Sequence, residues 1–229
     1  MTITRTITAI GAAAALALGA AACGDDDDSS ESSSGSAATQ QQSTPQPAAQ
    51  VDDLSGGDTT KVTLDAGFVE ALGTLKLTPA PVGEGSISKK GVASFPITGG
   101  NVTYYKPGTV NPYVQGEIDH DGSGLSLTGG GKKVELTDFV IDPGKSVLTG
   151  KVTVDGEEAA PSAPLFFLDG RTLEPLRTNA DGSKAVLQGT TVKLKQEAAD
   201  LLNQTFGTDA LEGGLVIGVA KITVDTGAA

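Results

Sequence analysis

Tryptophan is absent from this chain of 229 residues, which also holds one cysteine, one histidine and only nine aromatic side chains, six Phe and three Tyr. One cysteine excludes an intramolecular disulfide, and one histidine removes almost every metal site built from clustered sulfur and imidazole ligands. Positive charge is scarce: 16 Lys and Arg stand against 28 Asp and Glu, a net charge of -12. With no cationic surplus to neutralise a phosphate backbone, nucleic acid is not expected as a partner. The signatures GxSxG, HExxH, CxxC, GxxxxGK[ST] and GxGxxG are all missing. The expectation is a non-catalytic protein; the alternative of a hydrolase has to run through His120, the sole imidazole. Glycine, by contrast, is abundant at 31 residues and points to a turn-rich chain.

Met1 to Ala22 carries one base, Arg5, and then an apolar run of small residues from Ala9 to Ala22. That pattern is a signal peptide, too short and too poor in large side chains for a permanent span of about 20 residues. Ala20, Ala21 and Ala22 directly precede Cys23 and Gly24. These five residues resemble the lipobox of bacterial lipoproteins, with Ala20 where that family usually has Leu. The resemblance implies a diacylglycerol thioether on Cys23 and cleavage before it. Each buried acyl CH₂ contributes about 0.8 kcal/mol, so two or three chains would hold the protein firmly on a bilayer. The expected location is the extracytoplasmic face of the cell membrane, with the membrane contacted through lipid and cell-wall or other surface components as further partners.

From Gly24 to Asp58 the composition shifts to the Asp25 to Asp28 run, a Ser-rich patch and a Gln-rich stretch with Pro45 and Pro47. Such a segment buries too little apolar surface to offset its ordering entropy, so residues 23–58 are expected to be a disordered tether, averaging roughly 30 to 35 Å end to end. Eight of the 28 acidic residues and none of the 16 basic ones lie within it. The folded part, taken as residues 59–229, is therefore only mildly acidic.

Alternation of apolar and polar side chains dominates that part, as in Lys133 to Ile141 and Ser146 to Val154, joined by Asp142-Pro143-Gly144-Lys145. This predicts a hairpin of half-buried strands with a Pro-then-Gly turn. Further strands are predicted at 61–64, 74–77, 92–97, 101–105, 113–118, 125–127, 165–168, 185–187, 191–194 and 215–224. With no long helical pattern between them they should pair antiparallel, giving an all-β sandwich or partly open barrel. Two short helices interrupt it. Asp65 to Leu72 has a capping acid, Phe68 and Leu72 four apart and Gly73 at its end; Gln196 to Phe206 aligns Ala198, Leu202 and Phe206 before Gly207.

The densest polar stretch is Gly116 to Leu125. Asp119, Asp121 and Ser123 match the start of a D-x-D-x-S-G calcium loop, but position twelve is Gly130 rather than a bidentate Glu. The competing reading is an Asp- and Gly-rich turn. The neighbours Tyr104 and Tyr105 must face opposite sides of a strand, one in the core and one at the surface.

Gly116, Ile118, His120, Gly122, Gly124, Leu125 and Leu127 share a spacing that follows Phe95-Pro96-Ile97-Thr98-Gly99-Gly100 and precedes the 134–154 hairpin. Together with Leu194 to Phe206 and Gly213 to Ala220, this resembles an HtaA-type domain, the haem-transport-associated module of actinobacterial surface proteins, over residues 60–225. The resemblance implies an extracytoplasmic β-domain with two short helices and, in members that bind haem, a tyrosine ligand near the first helix supported by a histidine. Here the first helix carries Phe68 and no tyrosine. The candidate ligand-binding residues are His120, Tyr104, Tyr105, Tyr113 and Phe68, with His120 read either as a haem-supporting group or as a polar turn residue.

Overall fold

The computed structural model describes residues 44–226, so the leader, Cys23 and the tether as far as residue 43 lie outside the described residues. Thirteen strands make one sheet: β1 (Ala49–Val51), β2 (Asp58–Leu64), β3 (Thr78–Gly83), β4 (Ser86–Ile87), β5 (Val92–Pro96), β6 (Gly99–Tyr104), β7 (Val114–Gly129), β8 (Lys132–Asp142), β9 (Val147–Val154), β10 (Glu157–Asp169), β11 (Arg177–Thr178), β12 (Lys184–Leu194) and β13 (Val216–Asp225). Their order is β1-β6-β7-β8-β9-β10-β12-β13-β2-β5-β4, with β3 paired to β7 and β11 to β12. Every pairing between these strands is antiparallel. The expected β-rich, partly open barrel with two short helices is what forms.

Contacts between strands distant in the order show the curl. Thr60 on β2 meets His120 on β7, and Phe95 on β5 packs edge-on against Phe139 on β8, with centroids 5.2 Å apart. Val134, Val152, Ile118 and Leu165 are sealed in the core between the two halves. Ala49–Val51 and Asp58, assigned to the tether by composition, are strand residues of this sheet instead. Ala49–Val51 pairs with β6 and Leu54 is buried, so one large apolar side chain and backbone pairing outweigh polar surroundings.

Two long strands correct the reading of their sequences. The turn expected at 119–124 is the middle of β7, and the gap expected at 188–190 is the middle of β12. Each contains a bulge, marked by register shifts between His120 and Gly124 and between Gln188 and Thr190. A bulge reverses which parity faces inward, so Ala185 precedes the β12 shift and Val192 and Leu194 follow it on the same buried face. Alternation broken in this way reads as two strands.

The helices are α1 (Ala66–Thr74) and α2 (Gln196–Phe206). The Asp65 carboxylate accepts from Gly67 N at 2.8 Å and starts α1. Gly73 does not end it. The left-handed step falls on Lys76, with φ 55, while Leu77 N donates to Leu72 O and Lys76 N to Gly73 O. That stop occupies 75–77, so the strand predicted from 74 starts at Thr78. α2 ends at Gly207, whose φ of 66 takes the left-handed cap. The β8–β9 turn uses Asp142, which accepts from Lys145 N at 2.8 Å, and its positive φ is at Ser146 rather than Gly144.

Candidate functional site

A cleft of about 470 Å³ opens into the interior of the sheet. Two cross-strand pairs line it: Ile118 with Ile141 from β7 and β8, and Leu187 with Ile222 from β12 and β13. Phe167 and Leu168 of β10 add to its wall, and Tyr113 and the Pro143–Ser146 turn stand at its rim. Its volume lies within the roughly 300–1,000 Å³ of small-molecule sites. Its walls are apolar apart from a few groups, among them the Tyr113 hydroxyl, Thr190 and the Asp169–Arg171 pair.

That pair is built by the chain's own turn. After β10 the backbone enters a 3-10 turn (Gly170–Thr172), and Asp169 caps it by accepting from Arg171 N at 3.2 Å. The same carboxylate accepts from Arg171 Nε at 2.8 Å, Arg171 Nη2 at 2.6 Å and Lys193 Nζ at 2.9 Å. The Arg171 guanidinium, then the Lys193 ammonium, hold the Asp169 carboxyl well below the usual carboxylate range. Asp169 is nearly enclosed, whereas the Arg171 side chain is 82% exposed. The turn is seated on the β12 bulge, where Thr172 Oγ1 donates to Gly189 O at 2.6 Å.

Four of the five candidates named from sequence each line a different cavity, and Tyr105 lines none of the four. Tyr113 lines the large cleft. Tyr104 lines a neighbouring cavity of about 180 Å³ and packs edge-on against Tyr113 at 5.9 Å. Tyr104, the last residue of β6, is buried, and Tyr105, just beyond the strand, is half-exposed. Burial, and then Tyr104, push the Tyr113 phenol up, so it stays protonated. Phe68 lines a cavity of about 80 Å³ beneath α1 and α2. That space is smaller than the roughly 150 Å³ known to admit benzene.

His120 lies elsewhere, on β7 rather than in a turn, and is 1% exposed. A carbonyl can only accept, so Nδ1 donates to Phe139 O at 3.2 Å, leaving Nε2 to accept from the Thr60 hydroxyl at 2.8 Å. Burial holds the ring neutral, lowering its pKa to about 4. The adjacent cavity is about 40 Å³. The nitrogen that would act as a base therefore faces a buried threonine in a space too small for a substrate, which removes the structural basis for a hydrolase centred on His120.

The calcium-loop residues do not converge. Ser123 is buried, with Oγ donating to His120 O at 3.1 Å, whereas Asp121 is exposed. Among the described residues no three His, Cys, Asp or Glu side chains form a group able to hold a metal. Asp119 is pushed up by burial and by the nearby charges of Glu117 and Asp121.

Sequence reasoning missed Phe167, Asp169, Arg171, Leu187, Thr190 and Ile222. They come from three strands, β10, β12 and β13, and the turn after β10, so the set is brought together only by the fold. The one local signal was the Phe166-Phe167 doublet, which must split between faces: Phe166 is buried and Phe167 is 44% exposed.

No protein-family profile matches the chain, and no curated protein matches it. Among solved structures the chain is similar to the C-terminal domain of HtaA from Corynebacterium glutamicum, with TM-score 0.51 and 15% identity over 77% of this chain and 98% of that one. It also matches a domain-swapped dimer of a variant of that domain, with TM-score 0.42 and 15% identity over 71% of this chain and 92% of the other. The first likeness defines the class of fold: the described domain is HtaA-like in architecture. No helix among the described residues is long and apolar enough to cross a membrane.

Proposed function

We propose that this chain is an exported lipoprotein, anchored through Cys23, whose HtaA-like domain is a non-catalytic binding module with its ligand site in the 470 Å³ cleft. The observation that carries the reading is a cleft of ligand size with apolar walls and a few convergent polar groups at its rim. The anchor is supported by the lone cysteine behind three alanines. Metabolic labelling with a fatty acid should mark the wild type and not Cys23→Ser; equal labelling overturns the anchor. Titration with the uncharged fluorophore N-phenylnaphthylamine should show saturable binding at one site; absence of binding overturns the module.

A second reading is haem binding in the same cleft, favoured by the fold likeness and by the Tyr113 side chain at the cleft's rim. Burial keeps that phenol neutral, so iron would have to displace its proton. A discrete Soret shift with hemin, lost in Tyr113→Phe, supports this reading, and a featureless additive spectrum rejects it.

A further inference from the structure

We propose that the cleft takes a single-chain amphiphile with a carboxylate head, its chain lying between Ile118, Leu187 and Ile222 and its head at Arg171. This rests on the reading of the cleft as the ligand site and adds its ligand class. Two observations carry it.

The first is shape. The 470 Å³ cleft and the neighbouring 180 Å³ cavity share Ile118, Leu187 and Ile222 as wall residues, so these side chains stand between two adjoining spaces. Two adjoining apolar spaces divided by flexible aliphatic side chains suit an extended flexible chain better than one compact ring. Such a chain gains about 0.8 kcal/mol for each CH₂ removed from water.

The second is charge. One carboxylate that lines the cleft, Asp169, is shared by two cations, Arg171 of the lining and Lys193 of β12. The cluster therefore retains one positive charge. The Pro143–Ser146 turn at the rim offers no competing excess, because Lys145 pairs with Asp142 at 2.8 Å. Arg171 Nε and Nη2 are engaged with Asp169, while Nη1 makes no hydrogen bond among the described residues. One residual positive charge with a free guanidinium edge matches a monoanion, which a carboxylate is at neutral pH and a phosphate monoester is not.

The test uses the full chain. A photoactivatable diazirine analogue of hexadecanoate should label peptides from 111–118, 165–173 and 185–190. Competition should rank hexadecanoate above hexadecanol, and Arg171→Gln should weaken the carboxylate about fivefold, the scale of an exposed ion pair, while leaving the alcohol unchanged. Equal affinity for acid and alcohol, indifferent to Arg171→Gln, overturns the carboxylate assignment but leaves the binding module standing. Labelling confined to α1 and α2, or no saturable binding of either compound, overturns both. A hexadecyl phosphate that outcompetes hexadecanoate also overturns the assignment. The labelling arm uses the unmodified protein, so folding of a variant does not enter it.

Discussion

The interior of the curled sheet is finished differently in two places. Beneath α1 and α2, Leu72, Leu202 and Leu211 fill the space until about 80 Å³ remains. Where β7 and β8 face β12 and β13, neither α1 nor α2 lines the interior, and about 470 Å³ stays open beside the Gly170–Thr172 turn. Similar Leu and Ile side chains line both places. Apolar lining alone therefore does not mark a binding site; what distinguishes the second is unfilled volume with a charged cluster in its lining.

The comparison can be broken by perturbing each region in turn. The largest effect is expected from Leu165→Ala, which removes a sealed side chain from the wall of the covered region. It should cost about 2–5 kcal/mol in urea unfolding and leave fluorophore binding in the cleft unchanged. A parallel loss of binding would mean that the two regions act as one.

Acid should act on the junction between the halves. The pKa of His120 in the folded protein is about 4, below its ordinary 6.5. The unfolded chain therefore takes up the proton first as pH falls, and stability drops between about pH 6.5 and pH 4, by about 3 kcal/mol in total. The urea midpoint followed against pH should show this limb in the wild type and a flatter one in His120→Gln. Identical limbs would assign the acid sensitivity to other groups.

Gly189→Ala sharpens the cleft side. Gly189 has φ +106, and an added Cβ would lie 2.3 Å from Thr172 O. The substitution should cost about 1–3 kcal/mol and displace the turn that carries Arg171, lowering carboxylate affinity more than affinity for an uncharged ligand. Smallest is Asp65→Ala, which removes the α1 cap and should lower stability by about 1 kcal/mol without touching the cleft.

The covered region was legible in the sequence and the open one was not. Phe68 and Leu72, or Ala198 and Leu202, lie four apart on one helix, so the stripe that covers the sheet is written locally. The β8–β9 hairpin was legible for the same reason, since β9 alternates cleanly, β8 alternates on either side of one irregularity at Asp138, and Asp142 caps the turn. The cleft is assembled from Ile118, Phe167, Leu187 and Ile222, which meet only once the sheet has curled. The bulges in β7 and β12 hide it further, because they reverse the facing parity mid-strand. His120 read as a turn residue because its neighbours Asp119, Asp121 and Gly122 have turn chemistry; its contacts with Thr60 and Phe139 are long-range.

The central claim, that the open cleft rather than the helix-covered cavity receives the ligand, is tested most directly by filling each space with one bulky side chain and titrating N-phenylnaphthylamine. Leu187→Trp occupies the cleft and Leu201→Trp the cavity under α2. The account predicts that saturable fluorescence enhancement is lost in Leu187→Trp and retained in Leu201→Trp; retention in the first with loss in the second would contradict it.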